Sequence, residues 1–168
     1  GDSPTSTIRK LKSPNWEPEI IGAYQPTAII AKHSRYVLFG TDFCVPQNGI
    51  FRYDRETEIM EQIFAFPEQY DLPAYSSFYD NETQIAYFGT AQTMTREGHE
   101  WKIPAIWKSN PPYNDWEIVD AANENEYAVY KSIARDYRAK LVFVREEGSL
   151  SLPNEKTYGY FLSEPYRK

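Results

Sequence analysis

Residues 28–66 read AIIAKHSRYVLFGTDFCVPQNGIFRYDRETEIMEQIFAF, and the punctuation of this stretch decides the fold. Four short runs rich in aromatic and β-branched residues, Ala28–Lys32, Tyr36–Thr41, Ile50–Tyr53 and Ile59–Phe66, are parted by turn formers, His33-Ser34-Arg35 after the first and Asn48-Gly49 before the third. Runs this brief are too short for helices, and their composition is that of strands. The pattern returns twice. Tyr75–Val119 holds YSSFYDNETQIAYFGTAQ and then PAIWKSNPPYNDWEIV, so that Phe39-Gly40-Thr41 reappears as Phe88-Gly89-Thr90, at a period of about fifty residues. Val129–Leu162 holds VYKSIARDYRAKLVFVREE and then KTYGYFLSE. Ahead of them, TIRKLKSPNWEPEII reads as the closing half of such a unit, because Lys12-Ser13-Pro14-Asn15-Trp16 resembles Lys108–Trp116 with a shorter turn.

The reading is all-β. Strands are expected near 28–32, 36–41, 50–53, 59–65, 76–79, 84–90, 104–108, 116–119, 130–134, 140–145 and 157–162. Turns of two to four residues at 33–35, 80–83 and 136–139 call for antiparallel hairpins, and the acidic Ala121–Glu126 reads as a crossing loop. Four-stranded meanders at this period are the signature of a β-propeller. Residues 1–168 are therefore expected to form one partial propeller domain of about three blades, with units at 7–21 (a half unit), 28–66, 75–119 and 129–162. Packing of the units as a β-sandwich is the alternative. Phe39, Phe88 and Phe143 should be equivalent and buried on second strands, with Ile50, Ile106 and Tyr160 equivalent on third strands. A ring needs four or more blades, so missing chain or oligomerisation is expected to complete it.

Composition narrows the partners. Of 168 residues, 41% are hydrophobic and 25% charged, enough for a sizeable core. The net charge of −6 supplies no field that gathers phosphates, which argues against nucleic acid. One Cys, Cys44, and two His leave neither a disulfide nor a zinc-type ligand set, and no cofactor is implied. No apolar run approaches a membrane span. No compartment can be read from the residues; a secreted or cell-surface one is the expectation, any signal peptide then having been removed. The aromatic content of 16% suits strands first and ligand surfaces second.

Tyr36-Val37-Leu38-Phe39-Gly40-Thr41-Asp42 resembles an inner-strand signature of the furanosidase-type propeller glycosidases, the arabinanases, xylosidases and their relatives. Ile106-Trp107-Lys108-Ser109 followed by Trp116 resembles that family's third strand. It is also similar to a degenerate Asp-box of the sialidase-like propellers, without the expected Asp and Gly. The resemblance spans Tyr24 to Leu162 and implies the fold more than an activity. It implies an acidic base before the first strand, an acidic helper in the next blade and a glutamic acid in the third. Gln25 stands where the base belongs, and an amide cannot activate water. Asp71 is one residue out of the usual Asp-Pro pair, and Glu126 lacks the Gly-Pro that follows the acid. Asp71 and Glu126 are thus the catalytic candidates of an incomplete set.

Variable loops on a repeated scaffold are where binding is placed, here 42–48, 92–103 and 146–156. Asp42, Gln92 and Glu146 just beyond equivalent strands should meet at one rim. Arg96, His99 and Trp101 occupy the longest loop, where an indole could stack on a sugar or fill a partner's pocket. The ligand candidates are Asp42, Arg96, His99, Trp101 and Glu146, with no metal site. The expected function is a non-catalytic module binding a glycan or a protein partner. The alternatives are part of a propeller glycoside hydrolase or a structural assembly subunit.

Overall fold

Apolar side chains on both faces of the same short strand require a layer on each side, and that is how the chain folds. The computed structural model describes residues 7–22, 25–42, 48–92, 102–123, 126–149 and 156–161. Their strands are β1 (Ile8–Lys12), β2 (Glu17–Gly22), β3 (Pro26–Ile30), β4 (Tyr36–Thr41), β5 (Gly49–Asp54), β6 (Ile59–Ala65), β7 (Ala74–Tyr79), β8 (Ala86–Thr90), β9 (Ala105–Ser109), β10 (Glu117–Ala121), β11 (Glu126–Arg135), β12 (Leu141–Ser149) and β13 (Lys156–Phe161). Strand accounts for 62% of the described residues, with one 3₁₀ turn at Glu68–Tyr70 and no α-helix among them.

The strands form four antiparallel meanders of two, four, four and three strands, β1-β2, β3 to β6, β7 to β10 and β11 to β13. Three apolar layers join them in chain order. Ile8 and Ile21 of the first sheet meet Val37, Phe39, Phe51 and Tyr53 of the second. Leu38, Ile50, Phe64 and Phe66 meet Ala86, Phe88, Trp107 and Trp116 of the third. Tyr87 and Ile106 meet Tyr130, Ile133, Leu141 and Phe143 of the fourth. Aromatic content is spent largely here: Trp107 stacks on Phe66 with ring centroids 5.6 Å apart and meets Phe64 at 5.2 Å. Among the described residues the sheets do not close into a ring.

The repeated Phe-Gly-Thr has a physical cause at each position. As expected, Phe39, Phe88 and Phe143 are buried at equivalent places on second strands; all three face the preceding sheet. Glycine follows because the next sheet's first strand lies against it: a Cβ at Gly40 would strike Ala74, and one at Gly89 would approach Tyr130 Cβ to 2.8 Å as well as striking Ser76 on the paired strand of its own sheet. The threonine hydroxyl closes the hairpin to the third strand. Thr41 Oγ1 accepts from Gly49 N–H at 3.1 Å and donates to Gly49 C=O at 3.2 Å. Thr90 does the same with Ala105, at 2.9 and 3.3 Å. In the fourth sheet the triplet is Phe143-Val144-Arg145, and a Cβ on Gly159, opposite Val144, would meet nothing within 4 Å.

That register corrects one expectation. Ile50 pairs with Gly40 and Ile106 with Gly89, but Tyr160 pairs with Phe143. Tyr160 is therefore equivalent to Phe51 and Trp107, and its ring stacks on Phe143 at 5.2 Å. A one-residue shift in a strand exchanges faces. Strand ends move by a few residues, chiefly at β11 and β12, which pair from Glu126–Ser149 to Arg135–Leu141. Joined edge to edge, the described strands of the first and last sheets would number five, one more than in the units between them.

First strands are also stapled to one another. Ser77 Oγ donates to Ile29 C=O at 3.0 Å on one side of β7, and Ser76 Oγ to Tyr130 C=O at 2.7 Å on the other. At the opposite end, the turns Asp54–Glu58 and Asp80–Gln84 share a design. Each aspartate accepts the second and third following N–H groups at 2.9 and 3.4 Å, and the fifth residue takes a positive φ, 58° at Glu58 and 63° at Gln84. Each also holds an arginine: Arg35 at 2.8 Å on Asp54 and Arg135 at 3.0 Å on Asp80. The Arg35 guanidinium and the turn amides hold the Asp54 carboxyl well below its ordinary range.

Candidate functional site

The end of the sheets carrying the long connections is braced by backbone bonds between loops. Asp42 N–H donates to Gln25 C=O at 2.9 Å, Ala91 N–H to Pro73 C=O at 3.1 Å, Ile103 N–H to Gln69 C=O at 2.8 Å and Ala122 N–H to Pro104 C=O at 2.9 Å. The first two bonds show that Asp42 matches Ala91, so Gln92 lies one residue further along than the repeat suggested. Gln92 sits on the seam between the third and fourth sheets, where its N–H reaches Ala128 C=O at 2.9 Å and Ala91 bridges Val129.

The catalytic candidates are used as braces. Asp71 Oδ1 accepts Asn48 N–H at 2.9 Å, tying the crossing before β7 to the start of β5. Glu126 Oε2 accepts Asn123 N–H at 3.1 Å within its own turn. Glu146 lies inside β12 opposite Val129, because the hairpin runs on past the expected boundary, and it pairs with Lys131 at 2.6 Å. Asp42 is half-buried at the end of β4. Arg96, His99, Trp101 and Cys44 lie outside the described residues. Among the described residues no three His, Cys, Asp or Glu side chains gather as a metal site, and no helix is long and apolar enough to cross a membrane. No protein-family model matches the sequence, and no curated protein matches it significantly.

Two features of the seam were not singled out as binding groups in the sequence. Gln92 is 3% exposed and neither its amide nitrogen nor its amide oxygen has a hydrogen-bond partner among the described residues. A buried amide left this way costs about 1–3 kcal/mol. Beside β11, a charged network crosses the same seam. Tyr130 OH donates to Asp120 of β10, and Arg145 reaches Asp120 at 3.1 Å and Tyr130 at 3.2 Å. Arg145 Nε also donates to Glu147 at 2.7 Å, Tyr160 OH donates to Glu147, and the guanidinium lies 4.8 Å over the Tyr160 ring. Burial, then the bond to Asp120, pushes the Tyr130 phenol up; burial and Glu147 do the same to Tyr160. Burial opposes the charge on Arg145, but its bonds to Tyr130 and Glu147 outweigh that, so it stays a cation. Arg145 occupies the register position of Thr41 and Thr90, and its departure from the repeat is the signal that could have marked it.

The recesses at the other end are of different character. One of about 350 Å³ lies among Asn110, Pro112, Asn114 and Trp116, where the Trp116 indole N–H already donates to Tyr113 C=O at 2.8 Å. His33 lies nearby, stacked on Tyr36 at 5.1 Å, its Nδ1 accepting from Arg35 and Tyr36 N–H at 3.0 and 3.1 Å. Burial, Arg55 and Arg35 lower its pKa, which keeps it neutral and fit to accept.

Proposed function

We propose that the chain is a portion of a β-propeller that binds a hydroxyl-rich ligand, a glycan, without catalysis, at the loop-bearing end of the seam between β8 and β11. The sequential meanders, first strands packed on first strands and Gly40 and Gly89 seated against the next unit support the propeller reading. The observation that carries the binding reading is Gln92. A primary amide held buried with both ends unpartnered among the described residues suits a ligand that can accept from one hydroxyl position and donate from another. Arg145, Glu147 and Tyr160 supply charged and aromatic groups on the same seam, of the kinds that hold sugar rings and hydroxyls. Hydrolysis is disfavoured because Gln25 stands in the base position and Asp71 and Glu126 each brace a backbone amide.

A glycan array probed with the purified chain tests this, alongside Gln92→Leu. Leucine removes an unsatisfied buried amide, so the variant should melt no lower than the parent while losing array signal at least tenfold. An array with no retained glycan, or binding indifferent to Gln92→Leu, refutes the reading. Release of reducing sugar that Asp71→Asn or Glu126→Gln abolishes would instead establish the hydrolase.

A further inference from the structure

Matched positions in the stack show a slot that no described residue fills. Ile29, Val37 and Phe39 face back from β3 and β4, and the same places in the fourth sheet are Ile133, Leu141 and Phe143. There β7 and β8 cover them, leaving Ile133 7% and Leu141 1% exposed. Ile29 is 54% exposed and Val37 half-buried. The cause lies in the first sheet. Its register, Lys12 opposite Glu17, matches Lys108 opposite Glu117, so β1 and β2 correspond to third and fourth strands. No first and second strands precede them among the described residues. A cleft of about 280 Å³ results, floored by Ile21, Val37, Phe39 and Tyr53 and flanked by Arg9 and Arg55, beside an edge of β1 that pairs with no strand among the described residues.

The electrostatics repeat as well. Asp80, in the β7-β8 turn, meets Arg135 at the end of β11. The residue that matches Arg135 is Ala31, the first beyond β3, and the Arg55 guanidinium sits there, donating to Ala31 C=O at 3.1 Å and to His33 C=O. Arg55 has no carboxylate partner among the described residues.

We propose that this slot receives a β-hairpin of defined chemistry: apolar residues on the face toward Ile29 and Val37, a glycine near the end of its second strand, and an aspartate in its turn to meet Arg55. Its second strand adds to that edge of β1. The β11-β12 hairpin of a second copy does not answer this description. Its turn does hold Asp136 at the place of Asp80, but it carries Val144 where glycine is needed, the same turn adds Arg138 and Lys140 beside Arg55, and β13 would fall on β1. The β7-β8 hairpin does answer it, with Gly89 and Asp80 in the required places.

Residues 73–104 fused ahead of Thr7 therefore make a direct probe, read by the labelling rate of a single thiol, Ile29→Cys in a Cys44→Ser background. The fusion should slow labelling at least tenfold, and Gly89→Val within the fused copy alone should restore it. A synthetic peptide of residues 73–92 added in trans at millimolar concentration should protect the same thiol, so a poorly folding fusion does not end the test. Equal labelling with and without hairpin, by both routes, overturns the proposal. So does protection of the unfused chain that rises with its own concentration, which would assign the slot to a second copy.

Discussion

Replacing Gly89 by alanine is the sharpest test of how the sheets are stacked. The new Cβ would collide with Ser76 Oγ and lie 2.8 Å from Tyr130 Cβ and 3.3 Å from Ile133 Cδ1, all on buried first strands. Overpacking of this kind costs about 1–3 kcal/mol. Ser76 Oγ cannot stay where it is, so its 2.7 Å bond to Tyr130 C=O is also lost, leaving a buried carbonyl unsatisfied at a further cost of about 1–3 kcal/mol. Because relaxation will share these terms, the expected loss is about 2–4 kcal/mol. Gly159→Ala is the internal control. It adds the same methyl to a strand where nothing lies within 4 Å, and it should change stability by no more than about 0.5 kcal/mol or raise it slightly. Urea unfolding followed by tryptophan fluorescence measures both, with the slope required to stay constant. A neutral Gly89→Ala, or a Gly159→Ala as costly, would refute the packing of the fourth sheet on the third.

Phe88→Ala, at a side chain with no exposed surface, should cost about 3–5 kcal/mol in the same assay, and a loss below about 1 kcal/mol would show a misplaced register. Thr90→Val keeps the shape but removes both bonds to Ala105, for which a loss of about 1–3 kcal/mol is expected, whereas Ser→Ala at exposed positions should do little. Asp54 has a depressed carboxyl in the folded chain, so its contribution is fully present above the ordinary carboxylate pKa of 3.8 and is lost as pH falls below that value. Asp54→Asn should flatten the acid limb of a stability-against-pH curve, and an unchanged limb would count against the pair with Arg35. His33 has a lowered pKa, so stability should hold above 6.5 and decline below it as the unfolded chain takes up the proton first; an NMR titration placing His33 above 6.5 would reverse that sign.

What the sequence disclosed and what it hid differ by cause. The strand order and the two-four-four-three grouping were legible because Phe-Gly-Thr recurs and because turn formers fall between every apolar run. The face of each residue was harder. In Tyr158-Gly159-Tyr160 an aromatic lies on each side of a glycine, and only the cross-strand pairing of Tyr160 with Phe143 tells which one matches Ile50. The length of the last hairpin was also hidden, since Glu146 and Glu147 look like loop residues until they are seen paired inside β12. For the site, the loop positions carried the reading and the seam did not. Gln92 is an ordinary loop-edge glutamine in the sequence; its burial comes from β11, which is more than thirty residues away. The Asp120, Arg145 and Glu147 network likewise joins strands from two units, and no local pattern announces it.

Every residue of β8 and of β9 is buried, since each of these strands is enclosed by sheets in front and behind. Neither strand has a side that water reaches, so hydrophobic alternation imposes no constraint there and volume imposes all of it. Sequence change within such a layer has to be matched on two neighbours at once. The turns and crossings at the two ends are under no such coupling, and divergence among chains of this architecture should accumulate there, with the interiors of the middle sheets keeping the record of common descent.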